Sequence, residues 1–118
     1  MEIQERALKF GVRILKFADN LPRTAAGSVL TKQLIRSGTS IGANMEEADG
    51  AASKNDFINK VTIARKEARE TRYWLELIYK AELIHNKANI EGLKLLLAES
   101  LEIMKILSAI INKARERT

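Results

Sequence analysis

The sequence predicts an all-α protein, an up-down-up-down antiparallel four-helix bundle. Three observations predict it. Apolar residues recur at alternating intervals of four and three along four long segments, the spacing of helices buried on one side. The composition favours Ala, Leu, Ile, Glu, Lys and Arg, all good helix formers. A single proline, six glycines and 5% aromatic residues leave too few turn formers for a multi-stranded β fold.

Helix 1 is expected from about Glu2 to Asn20. Ile3, Ala7, Phe10, Ile14, Phe17 and Leu21 mark its buried face, and Leu8, Leu15 and Ala18 are expected to widen that face. Pro22 stops it, because a residue preceding proline is pushed out of helical geometry. Thr24 is the expected N-cap of helix 2, with Gly27 a weak point in the first turn.

Helix 2 carries Val29, Leu30, Leu34, Ile41, Met45 and Ala48 toward the core. Its middle, Ser37-Gly38-Thr39-Ser40 with Gly42, is poor helix material. The phase nevertheless runs unbroken from Leu34 through Gly38 and Ile41 to Ala48, which predicts one continuous helix. Small residues there would let a neighbouring backbone come close. A short turn is expected near Ala52–Asn55, with Ser53 capping helix 3 and Asp56 in its first turn, where the helix dipole favours an acid.

Phe57, Val61, Ala64, Ala68, Thr71, Leu75 and Ile78 form the buried line of helix 3, which is expected to end near His85–Asn86. Trp74 is read as core. Asn86 or Asn89 starts helix 4. One apolar line of that helix runs Ile90, Leu93, Leu97, Met104, Leu107, Ile111 and Ala114; a second runs Leu96, Ile103, Ile106 and Ile110. This surplus buries either within its own bundle or against another subunit. Short connections make sequential helices antiparallel neighbours, and no repeat or linker divides residues 1–118, so a single domain is expected.

Between helices 2 and 3 the sequence sets a polar seam: Ser40, Asn44 and Glu47 on one side, Lys60, Glu67, Glu70 and Trp74 on the other. Antiparallel pairing about a turn near residues 53–54 opposes positions whose numbers sum to about 107. That places Glu47 by Lys60, Ser40 by Glu67, and Ser37 or Arg36 by Glu70. An unpaired carboxylate would be costly to bury, so the seam is expected to lock the hairpin's register.

The stretch SIGANMEEADGAASKNDFINKVTIARKEARETRYWLELI carries a family resemblance. Ser40-Ile41 with Asn44 and Glu47, Ser53 with Asp56-Phe57, Lys66-Glu67-Ala68, Glu70-Thr71 and Tyr73-Trp74-Leu75 resemble the bacterial four-helix-bundle proteins encoded in intervening sequences of 23S ribosomal RNA genes. The resemblance is dense over helices 2 and 3 and looser over helices 1 and 4. It implies a left-handed four-helix bundle assembled as a homopentamer, and no known catalytic activity. More distantly, the chain resembles the accessory variability determinant of diversity-generating retroelements, a pentameric basic bundle that binds a reverse transcriptase and nucleic acid.

Enzyme chemistry finds little material. There is no cysteine and one histidine, His85. Glu67-Ala-Arg-Glu70 and Glu99-Ser-Leu-Glu102 have the carboxylate spacing of di-iron bundles without the histidines those centres use. No phosphate-binding glycine motif is present. No cofactor or metal is therefore expected. No apolar run reaches the ~20 residues of a membrane span, and the opening MEIQERALKF lacks the order of a secretory signal. A cytoplasmic protein is the expectation.

The net charge of +5 and pI near 9.6 suit contact with nucleic acid. Two basic stripes are candidates: Arg6, Lys9, Arg13 and Lys16 on helix 1, and Arg65, Arg69 and Arg72 on helix 3. Against them stand the i,i+4 pairs Glu2–Arg6, Glu5–Lys9, Lys66–Glu70 and Arg72–Glu76, and neither stripe interleaves aromatic residues. Two functions follow. The first is a non-enzymatic, self-associating bundle acting as an assembly or adaptor protein with a protein partner. The second is a protein that binds RNA or single-stranded DNA, serving a ribosomal RNA or reverse-transcriptase complex.

Overall fold

In the computed structural model, which describes residues 2–117, the chain forms four helices: α1 (Glu2–Ala18), α2 (Ala25–Asp49), α3 (Lys54–Lys80) and α4 (Lys87–Glu116). Each packs on the two that flank it, α1 on α2 and α4, and α3 on α2 and α4. The result is an antiparallel bundle 49 × 21 × 20 Å in extent, with no strand among the described residues.

Side-chain caps begin three of the helices. The hydroxyl of Thr24 accepts from the Gly27 N–H, that of Ser53 from Asp56 and the amide oxygen of Asn86 from Asn89, each satisfying one orphan donor of a first turn. Helix α2 is continuous through its weak middle, and the reason is tertiary. Gly38 is buried against α1, where a β-carbon would stand 2.8 Å from Ile14 Cγ2. Gly11 and Gly42 extend the same close crossing. Packing across it holds residues whose propensities alone favour a break.

Helix α3 ends five residues short of the lower expected limit, His85. Glu82 takes the left-handed conformation (φ 53°), the amide of Leu83 bonds the Ile78 carbonyl and that of Glu82 bonds Tyr79. This is a Schellman stop with glutamate where glycine is usual, so no local signal announced it. Leu83 and Ile84 then fold over the end of the core.

The core holds Phe10, Ile14, Leu34, Ile41, Met45, Leu75, Ile78, Leu93, Ile103, Leu107 and Ile111, each at most 1% exposed. Three residues expected to face it do not. Leu8 and Leu15 lie outside the arc that α1 presents, 65% and 46% exposed, and Val29 is 61% exposed while its neighbour Leu30 is half-buried. A helix flanked by two others buries a narrower arc than the wide one expected for α1. Trp74 is half-buried at the core's edge.

On α4 both apolar lines turn inward, converging on Leu93, Leu96, Ile103, Leu107 and Ile111. Ile106 and Ile110 remain half-buried over the groove between α4 and the start of α1. That groove stays open because α1 has 17 residues against 30 in α4. At 1.5 Å per residue, α1 covers little more than half of its partner's length.

Candidate functional site

Antiparallel packing of α2 on α3 gathers the polar seam. Lys60 Nζ lies 3.1 Å from Glu47 Oε1. Arg36 bridges two acids one helical turn apart, Glu67 at 3.1 Å and Glu70. Burial disfavours the Arg36 charge, but Glu67 and then Glu70 outweigh that cost and hold its pKa above the ordinary value. The hydrogen bond to Glu47 likewise raises Lys60.

Ser40 does not meet Glu67 through its hydroxyl. Its Oγ donates to the Arg36 carbonyl at 2.6 Å, and Asn44 Nδ2 donates to the Ser40 carbonyl, so both side chains serve their own helix. The buried polar contact of the seam is one the sequence reading did not single out. Thr71 Oγ1 donates to Ser37 Oγ at 2.8 Å, with both residues fully buried. Thr71 lies on the apolar line of α3, where its hydroxyl was hidden by the helix periodicity.

Trp74 closes the seam at its far end, and its enclosed indole Nε1 has no acceptor among the described residues. Tyr73 stacks edge-on against it, ring centroids 5.3 Å apart, and is itself 56% exposed.

The basic stripes divide into tied and untied cations. On α1, Arg6 reaches across to α4 and forks onto Glu99, Nε to Oε2 at 2.6 Å and Nη2 to Oε1 at 2.8 Å, instead of pairing with Glu2. Hydrogen bonding by Arg6 holds the Glu99 carboxyl below the usual carboxylate range despite its partial burial, and the same bond raises Arg6. Lys9 pairs with Glu5 at 3.3 Å. On α3, Arg65 donates to Ser108 and Arg72 to Glu76. Glu70 is taken by Arg36, which leaves Lys66 without it. Among the described residues, Arg13, Lys16, Lys66, Arg69 and Lys80 have no ion pair or hydrogen bond from their side chains.

Carboxylates at di-iron spacing are likewise occupied, Glu67 and Glu70 by Arg36 and Glu99 by Arg6. Among the described residues no group of three or more His, Asp or Glu converges as a metal site. His85 lies exposed in the α3–α4 connection. No described helix is long and apolar enough to cross a membrane.

An apolar strip runs along the outside of α1. Leu8, Val12 and Leu15 are exposed at i, i+4 and i+7. The strip borders α2 where Gly42 approaches the Leu8 backbone, a β-carbon there standing 3.7 Å from the Leu8 nitrogen.

The solved structure of a protein of unknown function from the S23 ribosomal protein family of Bacteroides thetaiotaomicron is similar to this chain throughout. The two are 46% identical, the match covers 92% of this chain and 97% of that one, and the TM-score is 0.79. No curated protein matches in sequence. The model of the 23S rRNA-intervening sequence proteins matches residues 1–109. With the helical bundle and its α2–α3 seam in place, the chain belongs to the 23S rRNA-intervening sequence protein family.

Proposed function

We propose that this protein is a non-enzymatic, self-associating helical bundle that acts as an assembly or adaptor protein, forming the homopentamer that the family resemblance implies. The supporting observation is the outer strip of α1. Leu8, Val12 and Leu15 are 65%, 43% and 46% exposed, on one face of one helix. Single exposed leucines are ordinary on a monomer, whereas an aligned set marks a surface that gains by being covered. Beside the strip, α2 approaches the Leu8 backbone through Gly42, which carries no side chain.

Light scattering on the purified protein tests the reading. A mass near five times 13.3 kDa is expected, falling toward one chain when Leu8 and Leu15 are both replaced by glutamate. A wild-type mass of one chain at micromolar concentration would refute it.

A second reading, a nucleic-acid-binding protein, is favoured by a different observation. Three unpaired cations, Lys66, Arg69 and Lys80, lie together with the exposed Tyr73 on the outside of α3.

A further inference from the structure

The outward face of α3 differs from both basic stripes read in the sequence. With 3.6 residues per turn, Lys66, Arg69, Tyr73 and Lys80 fall within an arc of about 60°. That arc lies on the far side of the helix from the core line Val61, Ala64, Ala68 and Leu75. All four residues are exposed, Tyr73 by 56%. None of the three cations has a partner among the described residues. The acids one turn away along α3 are spent: Glu70, four residues from Lys66, on Arg36, and Glu76, four residues from Lys80, on Arg72. A shallow depression lined by Lys66, Arg69, Glu70, Tyr73 and Trp74 opens on this face.

Chemically, the face offers an aromatic ring standing clear of the helix, with one cation four residues before it and another seven after. A ring flanked by unpaired cations suits a polymer that alternates flat π-surfaces with negative charges. The Lys66–Lys80 span is about 21 Å of helix axis, enough for several nucleotides of an extended strand. The edge-on contact with Trp74 restrains the Tyr73 ring, so less ring freedom is lost on stacking. An acidic peptide would satisfy the cations but gives Tyr73 no flat partner.

We propose that this face of α3 binds single-stranded nucleic acid. Tyr73 stacks a base, and Lys66, Arg69 and Lys80 neutralise backbone phosphates. The assignment rests on the second reading above and is independent of self-association. Of the three arginines that the sequence nominated on helix 3, it retains Arg69 and leaves Arg65 and Arg72 to their structural partners; it adds Lys66, Tyr73 and Lys80 and uses none of the helix 1 stripe.

The test is fluorescence anisotropy of labelled oligouridylate and oligodeoxythymidylate, titrated with the full chain freed of co-purifying nucleic acid, over a range of salt. Base stacking predicts that Tyr73→Ala weakens binding about tenfold while Tyr73→Phe stays within about twofold of wild type. Loss of two phosphate contacts in the double variant Lys66→Gln/Arg69→Gln lowers the log–log salt slope by about 1.4. The control Arg13→Gln/Lys16→Gln on α1 leaves affinity unchanged. All these positions are exposed, and circular dichroism melts verify that each variant folds. If neither oligonucleotide binds at low salt, the nucleic-acid reading itself is overturned. If binding is lost in the α1 control and kept in the α3 variants, the reading survives and this face is the wrong one. Tight binding of an acidic peptide with none of either oligonucleotide would overturn both.

Discussion

The α1–α2 crossing supplies a matched pair of substitutions that isolates one steric effect. Gly38 and Gly42 lie one turn apart on the same helix, so replacing either by alanine gains the same helix propensity, about 1 kcal/mol. What differs is the space. At Gly38 the added β-carbon meets Ile14 Cγ2 at 2.8 Å, Cγ1 at 3.0 Å and Cβ at 3.2 Å. All three atoms belong to a β-branched side chain with no exposed surface and a stiff χ1, so it cannot turn aside. At Gly42 the nearest atoms are Ala7 C and O at 3.6 Å, an ordinary contact.

Overpacking of a tight core costs about 1–3 kcal/mol. Gly38→Ala should therefore be destabilised by up to about 2 kcal/mol net, and Gly42→Ala stabilised by about 0.5–1 kcal/mol. Urea denaturation followed by helical circular dichroism, at one fixed protein concentration, measures both. A cycle with Ile14→Ala adds a second check, because removing both γ-carbons should relieve most of the cost at Gly38. If Gly38→Ala proves as stable as Gly42→Ala, the close approach does not govern this crossing and the account of α2's continuity fails.

Other positions carry smaller wagers. At Gly27 a β-carbon would overlap the Pro22 carbonyl oxygen, a backbone atom that cannot swing away; Gly27→Ala should cost about 2–4 kcal/mol by spreading the corner and the Thr24 cap, seen as a fall in melting temperature. Glu82→Gly should stabilise by about 0.5–1 kcal/mol, because its φ of 53° strains any side chain, and an unchanged urea midpoint would contradict the Schellman stop. The lowered pKa of Glu99 gives a signed pH effect. Its contribution to stability is complete above the unfolded carboxyl value of about 4.3 and is lost as pH falls through the lower folded value. Carboxyl NMR titration should find Glu99 below the ordinary range, and Arg6→Gln should return it there.

Interaction surfaces are not legible in the chain alone where two residues compete for one partner. By spacing, Glu70 belongs to Lys66 and Arg6 to Glu2, since i,i+4 neighbours on a helix are always within reach. In the bundle Glu70 goes to Arg36 and Arg6 goes to Glu99, because a facing helix presents an alternative partner in a partly buried interface. This exchange released Lys66 and left Arg69 and Tyr73 as neighbours on an open face. The sequence reading put Trp74 with the core, at whose edge it packs, but spacing gave no sign that Tyr73 beside it would point to solvent.

Alternating apolar intervals, three capping residues and the lack of a break in phase determined the four helices, their order and nearly all of the core. These are local or single-helix properties, legible wherever one residue's neighbours along the chain decide its state. Only the tertiary structure decided how wide a face each helix buries and which acid each arginine takes. Those outcomes depend on the distance between helices, a quantity that no spacing within one helix contains.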